Sequence, residues 1–345
     1  MFSEIINNTT LAFQPLFLIK ENGAPVFVPL IKSVYRIERD EIIPDEEPIE
    51  FFLGGKYWND DGQSSFKYEP QIAFTKASTD IVLIGHVYAP EQGIASVDTS
   101  LHISSIQKTV RIFGNRMWEK ILGVAAMSPP EPFEKIPLVY ERAFGGWDRS
   151  DPDPDKHTFE PRNPVGTGFH ARHKLQEGMP LPNLEDPKHL ISSYTDKPPP
   201  AGFGFISPNW EPRAQYAGTY DETWQKERMP LLPLDFDRRF FNAASPGLVA
   251  PGYLRGDEPV MITNASPNGR LTFNLPGIPP PRVKVALRGN KEHVLQTNLD
   301  TVIINTDENK VFLLWRSHLV VRNGPHDVVA IEVTAEGMPK TTVEP

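Results

Sequence analysis

Asp151-Pro152-Asp153-Pro154-Asp155 sets carboxylates at alternate positions, the spacing with which a calcium loop presents its ligands. An EF-hand loop needs glycine at its sixth position and glutamate at its twelfth; Lys156 and Arg162 stand there instead, so the segment reads as a solvated acidic loop. His170 and His173 lie three apart, a spacing that would bring two imidazoles together on a helix for zinc. Gly166, Gly168 and Arg172 disfavour a helix at that point, no HExxH-type base stands beside the pair, and no metal site is expected. Glu141, Asp221, Asp235 and Asp237 lie in aromatic-rich surroundings, as the facing carboxylates of a glycosidase would. Their expected role is structural, paired with Arg142, Arg213, Arg228, Arg238 or Arg239 beneath proline-rich loops. Phe144-Gly145-Gly146 and Gly166-Thr167-Gly168 are glycine pairs rather than a G-x-G-x-x-G fingerprint or a P-loop, and no G-x-S-x-G elbow anchors a hydrolase triad. The chain has no cysteine, which removes disulfides, thiolate metal sites and a cysteine nucleophile. No catalytic residue, metal ligand or cofactor site is therefore assigned.

What remains is a set suited to contact with another protein. Trp147, Trp210 and Trp224, with Arg213 and Arg228 near them, have the composition of interface anchors and are the partner-binding candidates. The competing reading of each tryptophan is a core residue. A formal net charge of −9 repels phosphate backbones and anionic lipid, so neither nucleic acid nor membrane is an expected partner. The N-terminus lacks the basic region and apolar run of a signal peptide, and no apolar stretch approaches the ~18–20 residues that span a bilayer. With the missing cysteines, this leads to the expectation of a cytoplasmic protein.

The elements that must position these residues are strands. Proline, at 36 of 345 residues, is about twice its usual ~5% share and argues against helix interiors. Residues 10–19 and 26–38 flank the turn Glu21-Asn22-Gly23-Ala24, a hairpin signal. Asp80 to Tyr88 reads as a strand buried on both faces. Val97, Thr99, Leu101 and Ile103 alternate with polar residues at the period of a half-buried strand, and Lys108 to Ile112 supplies its partner. Further short strands follow from Pro259 onward, with turns at Ala265 to Gly269 and Thr306 to Lys310. The middle is dense in proline, glycine and aromatics, with short helices expected at Ser207 to Trp210 and Asp221 to Glu227. The expected fold is mainly β: sandwich or barrel-like antiparallel sheets at both ends of the chain, with an ordered loop region wrapped on them. The predicted unit is 1–333, divided into an N-terminal β part (1–127), the wrapped region (128–244) and a C-terminal β part (245–333), with 334–345 as a flexible tail.

The central region also carries an ordered run of phrases. They are Pro137-Leu-Val-Tyr-Glu-Arg-Ala-Phe-Gly-Gly146, Asn163-Pro-Val-Gly166, Leu181-Pro-Asn-Leu-Glu185, Pro200-Ala-Gly-Phe-Gly204, Trp210-Glu-Pro-Arg213, Ala217-Gly-Thr-Tyr-Asp221, Arg228-Met-Pro230 and Asp235-Phe-Asp237. Upstream, Asp80 to Pro90 and Phe113-Gly-Asn-Arg-Met-Trp118 fit the same pattern. Together they resemble a bacterial family long catalogued as a domain of unknown function, whose members look like accessory proteins of type VI secretion. Ile72 to Ala77 departs from the pattern in lacking a proline after Lys76. The resemblance implies a non-enzymatic adaptor-chaperone that binds a type VI effector, at its N-terminal or PAAR-linked region, and helps load it onto the spike. Its partners would be the effector and a spike or PAAR-tip protein, with no cofactor. The alternatives are a carbohydrate-active enzyme, which would need facing carboxylates in an open cleft, and a carbohydrate-binding β-sandwich, which would need coplanar exposed aromatics.

Overall fold

The computed structural model describes residues 4–39, 41–59, 63–171 and 177–336. The chain is mainly β, and the described residues form three principal sheets, none of which closes into a barrel. The seven-stranded central sheet runs Ala12–Ile19, Pro25–Glu38, Lys310–Arg316, Asn298–Asn305, Asp80–Ile84, with Glu41–Pro44 and Leu319–Val320 also paired to Pro25–Glu38. Pro25–Glu38 and Asp80–Ile84 are buried on both faces, which is why they read as continuous apolar runs rather than alternating ones. A five-stranded antiparallel sheet runs Leu184–Glu185, Ile106–Phe113, Ser96–Ile103, Pro259–Thr263, Arg270–Asn274. Here the alternation in the sequence corresponds to one covered face, with Leu101, Ile103, Val110 and Ile112 buried. A four-stranded sheet runs Glu4–Asn7, Val328–Thr334, Arg282–Leu287, Lys291–Gln296.

Within the three principal sheets two pairings depart from the expected antiparallel pattern. Asp80–Ile84 lies parallel to Asn298–Asn305, and Glu4–Asn7 lies parallel to Val328–Thr334. Both join residues from opposite ends of the chain, where no tight turn constrains direction. The hairpins are at the expected turns: Ala12–Ile19 pairs with Pro25–Glu38 across Asn22-Gly23, and Asn298–Asn305 pairs with Lys310–Arg316 across a turn in which Asn309 has φ 52°. Thr334 closes the last strand; residues 337–345 of the expected tail lie outside the described residues, as does His173.

One continuous apolar core is shared by all three sheets, from Val26 and Leu30 through Leu101 and Ile262 to Val285 and Ile331. The central region packs on it through Tyr140, Phe203, Phe205 and Trp210, and has a smaller cluster of its own around Trp118, Phe144, Phe169, Leu181, Ile191 and Tyr194. Its backbone is irregular. The helix Glu222–Glu227 forms as expected, with the Asp221 carboxylate accepting from Trp224 N. Residues 207–210 form a turn instead of a helix, closed by Trp210 N donating to Ser207 O. The burial of Trp210 and the prolines on either side, Pro208 and Pro212, leave no room for an amphipathic turn to continue.

Candidate binding cleft

A cleft of about 1030 Å³ lies between the five-stranded sheet and the central loops. Gln107, Lys108 and Thr109 of the strand Ile106–Phe113 form one side. The other walls come from Asp186-Pro187-Lys188, Pro199-Pro200-Ala201, Glu211-Pro212 with Gln215, Pro246-Gly247 and Arg162; Tyr140 and Ile206 are buried members of the lining. Prolines in four of these segments fix φ, so the walls lose little further freedom when something binds between them.

Buried ion pairs hold these walls. Leu184–Glu185 adds to the edge of the sheet, and Glu185 accepts from Arg116 Nη2 and from Ile191 N (2.8 Å), which aims the following Asp186–Lys188 loop. On the opposite side Arg213 donates to the carbonyls of Ile206 (2.8 Å) and Phe240 (2.7 Å) and lies 3.4 Å from Glu69. Glu69 also accepts from Lys76, which bonds Asp80 at 2.7 Å; Asp80 in turn accepts from Asn242 Nδ2 and Ala243 N. Close by, Arg316 bonds Asp300 and donates to Gln71 O. Three buried carboxylates thus face three buried cations. Burial alone would lower Lys76, but Asp80, Glu69 and Asp300 outweigh it and raise its amine above the ordinary lysine value. The network ties the loops at 206–213 and 240–243 to the strand Asp80–Ile84.

Lys108 is placed differently. Its Nζ donates to Ser245 Oγ and to Pro246 O (2.7 Å), both neutral. Burial lowers its amine to about 7, with Asp186 opposing. Tyr140 OH donates to the same Ser245 Oγ at 2.8 Å, and Ser245 itself donates to Gly202 O at 2.8 Å. A serine nucleophile would have to give its proton to the lysine. Here the fully buried Ser245 directs its proton to a backbone carbonyl and accepts from both neighbours, so the trio holds the cleft wall rather than forming a nucleophile–base dyad. Neither Lys108 nor Ser245 was singled out in the sequence. Lys108 is one polar residue of an alternating strand, and Ser245 belongs to none of the recurrent phrases.

The five anchor candidates separate. Trp210 is 3% exposed and packs edge-on against Tyr140 at 5.6 Å, while Arg213 is 8% exposed within the ion network. Both belong to the scaffold and present no surface to a partner. Trp147 is 45% exposed, lies 4.6 Å from the exposed Phe159 with the rings tilted by 33°, and has Arg149 over it. Trp224 is half-buried, stacked edge-on against Tyr220, with Nε1 donating to Leu231 O. Arg228 is half-buried and donates to the carbonyls of Leu232 and Glu21, clasping the hairpin turn at Glu21. None of the five lines the cleft.

The carboxylates considered for glycoside chemistry are held elsewhere. Glu141 accepts from Ser65 N and Oγ, Asp221 caps the helix, and Asp235 accepts from Thr219 N and Oγ1. Asp237 alone has the expected arginine partner, Arg239; the other three bind backbone amides and hydroxyls. Asp151 and Asp153 accept from the backbone N–H two residues ahead, as turn-forming aspartates do. Among the described residues no group of histidines and acids has metal-binding geometry, and His170 is buried, stacked on Tyr194 and donating through Nε2 to its carbonyl. No helix among them is long and apolar enough to cross a membrane.

Residues 22–316 match the model of the family described as "uncharacterized protein conserved in bacteria" (DUF2169), and the chain belongs to that family. No curated protein and no solved structure is significantly similar to it.

Proposed function

We propose that this protein is a non-enzymatic adaptor of type VI secretion that holds a segment of an effector in the cleft and helps mount it on the spike. The observation that carries the reading is the make-up of the cleft walls. Three of the phrases on which the resemblance to type VI accessory proteins rests contribute to them, through Tyr140, Pro200, Ala201, Glu211 and Pro212. A cleft with rigid proline walls, a buried aromatic base and mixed polar rims suits an extended polypeptide segment, which needs shape and a few oriented hydrogen bonds. Trp147 and Phe159 would add an exposed aromatic contact outside it. The protein would act stoichiometrically, in the cytoplasm, without nucleotide or metal.

The test is native affinity capture of the tagged protein from its host under conditions that express the secretion genes, with partners identified by mass spectrometry. A stoichiometric effector together with a spike or PAAR protein is expected, and bulky substitution in the cleft (Ala201→Trp) should reduce capture while Trp147→Ala reduces it less. Recovery of neither partner would overturn the adaptor reading.

A further inference from the structure

Among the described residues the buried cations are Lys32, Lys76, Arg116, Arg213 and Arg316. Four of them touch a carboxylate: Lys76 touches Glu69 and Asp80, Arg116 touches Glu185, Arg213 touches Glu69, and Arg316 touches Asp300. Lys32 instead donates to Glu50 O and lies over the rings of Phe51, Phe52 and Phe312. A desolvated cation is offset in this molecule by an anion or by aromatic faces, as the cost of removing its water requires. Lys108 has neither. It is half-buried, its hydrogen bonds go to two neutral oxygens, and it opens onto the 1030 Å³ cleft.

We propose that the cleft binds a polypeptide segment through a carboxylate, an Asp or Glu side chain or a chain terminus, seated against the Lys108 amine as the contacting counter-charge that the fold itself does not supply. The inference rests on the cleft being the polypeptide site and adds the chemistry of the segment. The groups around Lys108 favour an anion at that point. Its strand neighbours Gln107 and Thr109 are neutral, and so are Tyr140 and Ser245 beneath it. Arg162 is neutralised by Glu160. Of the two acids that line the cleft, Asp186 accepts from Lys188 N and His189 Nδ1, and Glu211 stands beside Arg162. Lys188 adds an exposed cation on the rim. Burial brings the Lys108 amine down to about 7, so an arriving carboxylate would recover a charge that burial disfavours.

The experiment is selection of a randomised peptide display library on the full-length protein at pH 6, run in parallel on Lys108→Met and Lys108→Arg. Thermal melting of each variant checks folding. The expected result is enrichment of peptides with Asp, Glu or a free C-terminus at one fixed position, lost in the methionine variant and retained in the arginine variant. An enriched peptide, synthesised and measured by calorimetry, should bind the wild type roughly tenfold more weakly at pH 8.5 than at pH 6, because the amine must then be reprotonated on binding. The arginine variant should show no such loss. Enriched peptides without an acidic position, or an acidic preference that survives Lys108→Met, would overturn the carboxylate inference and leave the cleft as a polypeptide site. Binding of no peptide to any of the three proteins would overturn the cleft reading itself.

Discussion

Two lysines with lowered amines show how much the surroundings of a single residue decide. Lys32 is 1% exposed and its amine lies 4.5 Å from the centre of the Phe52 ring. Burial lowers it to about 8, with Glu50 opposing. Below pH 8 folded and unfolded chains both hold the proton, and the folded state bears the whole cost of an immersed charge. Between about 8 and the ordinary lysine value of 10.5 the unfolded chain still holds a proton that the folded chain has released, so stability rises with pH through that window. Replacing the lysine by methionine removes this contribution while keeping the stem and the ring contacts. Urea denaturation of wild type and Lys32→Met should therefore give stabilities that converge by about 3 kcal/mol, in favour of the wild type, between pH 7 and pH 10.5. Tyrosines raised by burial, such as Tyr35 and Tyr68, titrate alike in both proteins and cancel in the difference. A difference that stays flat across the window would mean that the amine keeps its water.

At the scale of elements, the central region is ordered by backbone crossings rather than by helices or long strands. Asn163 is fully buried; its Nδ2 donates to Tyr140 O (2.8 Å) and Phe144 O (3.0 Å), and its carbonyl accepts from Gly146 N. Gly145 crosses directly over it at φ +151°, where a Cβ would stand 2.2 Å from Asn163 O. The recurrent Phe-Gly-Gly and Asn-Pro-Val-Gly phrases are thus two halves of one knot, and the knot carries Tyr140 into the cleft. Asn163→Ala leaves the Phe144 carbonyl without its donor and Tyr140 O with only the Ala143 N–H, and should lower unfolding free energy by about 2 kcal/mol, with Gly145→Ala lowering it further. Guanidinium titration of both variants measures this; loss below about 0.5 kcal/mol would mean the crossing is not a support. The strands were legible in the sequence because a period of two, or a continuous apolar run between turn residues, survives in any short window. The glycine pairs were visible in the sequence, but what each one crosses was not, since Gly145 and Asn163 meet only in the fold. The cleft was hidden for the same reason. Lys108, Arg162, Pro200 and Pro246 come from four separated segments, and no local pattern marks a lysine without a contacting carboxylate. Trp210 and Arg213 had the composition of an interface, and composition does not distinguish an exposed anchor from a side chain that holds the wall behind it.

At the scale of the whole molecule, the two ends of the chain are interleaved. Pro25–Glu38, from the N-terminal part, lies between Ala12–Ile19 and Lys310–Arg316, and the N-terminal strand Asp80–Ile84 pairs with Asn298–Asn305 from the C-terminal part. The five-stranded sheet repeats the arrangement, with Ser96–Ile103 paired to Pro259–Thr263 and the central Leu184–Glu185 closing its other edge. A fragment comprising residues 1–127 would expose both faces of Pro25–Glu38 and one full edge of each sheet. Unpaired edges and uncovered apolar faces make such a fragment aggregation-prone rather than folded. The cleft follows the same logic, because one side is N-terminal sheet, most of its wall is central loop and its Pro246-Gly247 rim begins the C-terminal part. Client binding should then be all-or-none with folding. Residues 1–127 expressed alone should give a poorly dispersed amide spectrum and capture no effector, and the same should hold for residues 128–345. A well-dispersed spectrum from either fragment would show that the interleaved strands are dispensable, and capture by residues 128–345 would place the binding surface away from the Lys108 strand.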